Sequence, residues 1–172
     1  MFEPELTTRV IAEIDTSEID NALSIVNGSE VLSQMGIAEI LEERKTALQG
    51  LKEPVAYAVA ERVASNQEII ISTKHYITGM MANCVDITGD GGDYLVGNTA
   101  SSVTGFPYPL AIEKGTNAHW VAPVTYTALH WVEGGEDRFS RGHMVSGIKA
   151  DPFVQPSIDL TLADIDSIFN DL

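Results

Sequence analysis

Apolar and polar residues change their rhythm several times along this chain. Leu6 to Ile14 (Leu-Thr-Thr-Arg-Val-Ile-Ala-Glu-Ile) is rich in β-branched side chains and predicts a first strand. Asp15-Thr16-Ser17-Glu18 follows with N-cap residues and an acid in the first turn. Ile19, Leu23 and Val26 then recur at helical spacing, as do Ile37, Ile40, Leu41 and Leu48. Gly28-Ser29 interrupts that series, so the pattern predicts a kinked helix or two helices ending near Gly50. A further helical stretch starts at Glu53-Pro54, with proline in the first turn, and continues through Val55, Ala58, Val59 and Val63.

Beyond Asn66 the pattern shortens. Glu68 to Thr73 (Glu-Ile-Ile-Ile-Ser-Thr) predicts a short buried strand, and Asn83–Thr88 and Tyr94–Asn98 predict two more. Between the last two, Gly89-Asp90-Gly91-Gly92-Asp93 reads as a hairpin turn, because glycine reaches positive φ without penalty. Residues 99–107 read as an exposed loop. Tyr108–Lys114 is a short segment stopped by Gly115. Val121–Val132 fits strand or helix equally, and 133–147 reads as a mobile loop. Ser157 offers an N-cap for a closing helix with Ile158, Leu162, Ile165 and Phe169 on one face. The expected class is α+β: a small antiparallel sheet packed against a long N-terminal helix or helix pair and a C-terminal helix. One domain spans 1–172 in this reading, with a helical arm over about 16–65 and a sheet-containing core over about 68–172.

Composition narrows the function. The 172 residues are 44% hydrophobic, enough for one core. Acids outnumber bases 25 to 10, a formal charge of −15, which argues against sequence-independent grip on nucleic acid. The excess is spread out: residues 1–72 carry 13 acids and 5 bases, residues 73–172 carry 12 and 5. Such acidity suits solubility, a high-salt surrounding, or a wall that must not hold phosphate. No apolar run approaches the ~20 residues of a membrane span, and the first residues lack a signal-peptide layout. The expectation is a protein made in the cytoplasm with no membrane contact. The lone Cys84 leaves no partner for an intrachain disulfide.

Reactive constellations are scarce. His75, His119, His130 and His143 have no helical ligand spacing, so no metal is expected. Asp86, Asp90 and Asp93 lack the oxygen spacing and closing acid of a calcium loop. Cys84 lies in an alternating strand and reads as a small core residue. Neither a nucleophile elbow nor a phosphate-binding loop is present. No catalytic residue and no cofactor are expected. The competing reading is a small metal-dependent accessory enzyme using His119, His130 or His143.

One pattern is more specific. Tyr108-Pro109-Leu110-Ala111-Ile112-Glu113-Lys114-Gly115-Thr116 precedes His119 and Pro123. About thirty residues later comes Gly147-Ile148-Lys149-Ala150-Asp151-Pro152-Phe153-Val154-Gln155-Pro156-Ser157-Ile158. Upstream stands Thr78-Gly79-Met80-Met81-Ala82-Asn83-Cys84-Val85. The chain thereby resembles the tail-completion or head–tail connector (neck) proteins of long-tailed bacteriophages and archaeal tailed viruses. Their pattern is Thr-Gly-x-Leu-x-x-Ser, then a tyrosine-led turn ending in Glu-x-Gly-Thr, then Pro-Phe-x-x-Pro before a final helix. Met81 stands here for the leucine and Cys84 for the serine. The match spans roughly 78–160; residues 133–147 look like an insertion and the N-terminal strand like an addition.

The resemblance implies a virion structural protein without enzymatic activity, localised at the neck or tail. It would form a cyclic ring, a hexamer matching the tail or a dodecamer at the head side, with DNA passing through the lumen without specific binding. Its partners would be other copies of itself, head-side connector or stopper proteins, and the tail tube or tail terminator. A head-closure or adaptor protein of the same neck is the nearest alternative. Motif and interface candidates are Tyr108, Glu113, Gly115, Thr116, Pro152, Phe153 and Pro156. Glu113 is placed to pair with a base on its own or a neighbouring subunit, Gly115 to allow a sharp exit, Thr116 to bond backbone groups, and Phe153, bracketed by the prolines, to enter the core.

Overall fold

A computed structural model describes residues 6–74, 79–102 and 105–172. The first strand, β1 (Thr7–Ile11), is followed by three helices: α1 (Ser17–Asn27), α2 (Glu30–Ser33) and α3 (Ile37–Gly50). The break expected at Gly28-Ser29 occurs there, and Ser29 caps the next helix by accepting from the Leu32 N–H. A second break at Gly36, with φ of 69°, makes three helices of the two expected.

α4 (Lys52–Lys74) runs 23 residues without interruption. The strand expected over Glu68–Thr73 is therefore helix. The isoleucine triplet looked β-like locally, but it is continuous with a helical face on which Ala60, Ala64, Gln67 and Ile71 recur at three- and four-residue spacing and are buried. Tertiary burial overrides the β-branched preference there.

β2 (Val85–Asp90) and β3 (Asp93–Asn98) form the predicted hairpin, and β1 pairs with the other edge of β3. The sheet order is β1-β3-β2, all antiparallel. Asp90 faces Asp93 across a two-residue turn in which Gly91 and Gly92 both have positive φ. The sheet lies against α4. Ala56, Ala60 and Ala64 are small enough to let the helix backbone approach, and Val63 packs with Tyr94 and Val96 beneath it. A second cluster gathers Leu6, Ile70, Ile71, Ala82 and Phe153 at the far end of α4.

α5 (Tyr108–Lys114) ends at Gly115, as predicted. α6 (Val154–Ala163) and α7 (Ile165–Asn170) close the chain. The closing helix starts before Ser157, which is buried inside it, and breaks at Asp164. The expected apolar face does not form: Leu162 and Phe169 are exposed, while Ser157, Thr161 and Ile168 are buried. The buried hydroxyls are satisfied, since Thr161 donates to the Ser157 carbonyl and receives the Asn66 amide of α4. Arg62 of α4 pairs with Asp164. The class is α+β.

The loop expected over 133–147 is instead a β-ribbon. β5 (Leu129–Glu133) pairs with β6 (Glu136–Ser140), and β4 (His119–Val121) pairs with β7 (His143–Val145). Val121–Val132 therefore contains the end of one strand, a turn region and most of another.

Candidate functional site

The two motif segments fold into one junction. Gly115 has φ of 73°, and a Cβ there would stand 2.6 Å from the Ile148 carbonyl and 2.7 Å from the Ala150 N–H nitrogen. Only glycine fits that approach. Thr116 extends the contact: its N–H donates to the Ile148 carbonyl (2.8 Å), and its hydroxyl accepts from the Ile148 N–H (3.0 Å). The Asp151 N–H donates to the Ile112 carbonyl (2.9 Å). Among the described residues Glu113 has no base as partner; its carboxylate accepts from the N–H groups of Phe153 (2.8 Å) and Val154 (3.2 Å). A carboxylate there supplies the missing partners of the first turn of α6 and complements the helix dipole. Phe153 is fully buried.

The other candidates stand apart. Tyr108 is exposed and meets Phe106 edge-on, with ring centroids 5.8 Å apart. Pro152 is exposed and Pro156 half-buried at the base of α6. Thr78, the first residue of the upstream motif, lies outside the described residues, as does His75; Met81 and Cys84 are half-buried.

Between the motif segments the chain loops out as the ribbon. On one face of β5–β6, His130 stacks on Phe139 (centroids 4.8 Å), and its Nε2–H donates to the Asp137 carboxylate (2.7 Å). Residues Ala122 to His130, with Phe139, enclose an open groove of about 750 Å³ that includes Val124 and Tyr126, both strongly exposed. On the other face Trp131 leans on His143 (5.0 Å), and in β4–β7 Trp120 faces Met144, both exposed. His119, His130 and His143 have separate neighbours, and no group of three metal-ligating side chains occurs among the described residues. The ribbon's chemistry is that of a surface rich in aromatic area, the kind that forms contacts.

Sequence reasoning missed this ribbon although a signal was present. Glu133-Gly134-Gly135-Glu136 repeats the acid-Gly-Gly-acid form of Asp90-Gly91-Gly92-Asp93, and both glycine pairs have positive φ.

Charge is carried mainly by the body. Arg9 holds the Asp93 carboxyl below its ordinary value through a bidentate bond, and Lys45 does the same for Asp20. Burial, assisted by Glu53, pushes the Tyr94 hydroxyl up. Comparison with family models, curated proteins and solved structures finds no match to this chain.

Proposed function

We propose that the chain is a structural protein of a tailed virus, forming a ring at the neck or tail end that completes the tail and joins it to the head connector. The observation that carries this reading is the junction of the two motif segments. Glu113, Gly115 and Thr116 meet the chain from Ile148 to Val154, so the Glu-x-Gly-Thr segment and the segment that leads into α6 are tied together as one strap. The segment between them is displayed as a ribbon with Trp120, Phe139 and Met144 exposed, on a body that buries its own core. Such a division suits a part whose work is shape and contact. An acidic wall would also let DNA slide by without holding it.

Mass measurement by light scattering in low and molar salt tests the reading. Six copies of the 18.6 kDa chain support the tail-side ring. Twelve favour the head-side adaptor. A monomer in all conditions, together with intact infectious particles lacking the protein, overturns both. A reconstruction of the intact particle then locates the ring.

A further inference from the structure

Burial divides the chain sharply in two. Between Ala111 and Phe153, which are both buried, no residue is buried. The strands β4 to β7 pair with one another, and none of them packs substantially against a helix or strand of the body. We infer that the ribbon, from Asn117 to Gly147, is a separate unit of low stability that opens and recloses while the strap and the body stay folded. This holds for a monomer and a ring alike.

The strap sets the boundary. Thr116 bonds Ile148 three residues beyond the His119–Val145 pair on each strand, so the strap continues the register of β4–β7. On the body side of that point the chain enters the core: Glu113 holds the Phe153 N–H, and Phe153 is buried with Leu6, Ile70 and Ile71. On the other side each strand has one neighbour, since β4–β7 and β5–β6 are both two-stranded. A two-stranded hairpin with no second layer over it is marginal in water.

The bonds within the ribbon do little to change that. Arg138 with Glu133 and Glu136, and His130 with Asp137, join side chains that are all at least half exposed, and pairs of that kind contribute little. Trp131 leans on His143, but the Nδ1 atom of that histidine is covered and has no hydrogen-bond partner among the described residues, which costs stability. No member of either core cluster lies between Asn117 and Gly147, so opening the ribbon uncovers neither.

The chain carries its own pair of probes. Both of its tryptophans, Trp120 and Trp131, lie in the ribbon, and every helix of the described residues lies outside it. Tryptophan fluorescence therefore reads the ribbon, and circular dichroism at the helix wavelength reads the body. The wild type, diluted until light scattering gives 18.6 kDa, should lose its tryptophan signal at lower urea than its helical signal. In a second chain, residues 119–145 are replaced by an Asn-Gly turn joining Ala118 to Ser146, the loop length that closes a hairpin in the strap's register. Its helical transition should keep the wild-type midpoint. Coincident transitions in the wild type, or a tryptophan change that follows the helical one, overturn the inference. So does an excised chain that loses its helical signal at clearly lower urea than the wild type. If the wild type stays assembled at every concentration, the excised chain decides.

Discussion

Glu113 accepts a 2.8 Å hydrogen bond from the backbone N–H of Phe153, forty residues further along the chain. One side chain thus ties the end of α5 to the start of α6 and holds the Phe153 ring in the second core cluster. Glu113→Ala strands two N–H groups at a helix start. It should lower unfolding free energy by about 2 kcal/mol, read from urea denaturation, with Glu113→Gln losing about half as much because its oxygen still accepts.

Gly115 should tolerate no side chain. Its positive φ and the approach of Ile148 and Ala150 both penalise a Cβ, so Gly115→Ala should cost about 2–3 kcal/mol. Gly147→Ala should behave alike, since its Cβ would collide with the Thr116 carbonyl. A melting temperature unchanged in both variants would contradict the strap.

Gln67 is fully buried in α4, and neither the nitrogen nor the oxygen of its amide has a hydrogen-bond partner among the described residues. A methionine of similar shape removes that unmet demand. Gln67→Met should be neutral or stabilising by about 1 kcal/mol in urea unfolding.

Asp93 links the β2–β3 turn to Arg9 of β1, and its folded pKa lies below the ordinary 3.8. The sign follows from linkage: the bond contributes fully above 3.8 and is lost as pH falls through the lower folded value. The difference in urea midpoint between wild type and Asp93→Asn should therefore be largest near neutrality and shrink below pH 3.8. A difference independent of pH would rule the pair out as the cause.

A charge of −15 on one small body repels itself. Added salt should raise both the melting temperature and the extent of assembly, with most of the gain below roughly 1 M, where screening lengths fall to about 3 Å. Weaker assembly at high salt would mean that specific ion pairs outweigh this repulsion.

Local pattern made much of the fold legible. β1, the β2–β3 hairpin and α5 with its glycine stop were all readable, because turn glycines and β-branched runs act within a few residues. The α+β class followed from the order of those segments. The errors share a cause. Glu68–Thr73 has strand-like side chains but belongs to a helix whose buried face starts twelve residues earlier. The final helix buries Ser157 and Thr161 rather than the apolar row, where Asn66 of α4 offers a polar partner to the Ser157 carbonyl and the Thr161 hydroxyl.

The sequence by itself determined where the chain turns, how acidic it is, and which residues form the Glu-x-Gly-Thr and Pro-Phe-x-x-Pro segments. Only the tertiary structure decided that these segments hold each other. Hydrogen bonds from Phe153 and Val154 to Glu113 join groups forty residues apart, and no local periodicity encodes such a contact. It also decided that the stretch between them stands out as an aromatic ribbon, since exposure depends on what else the fold leaves to cover it.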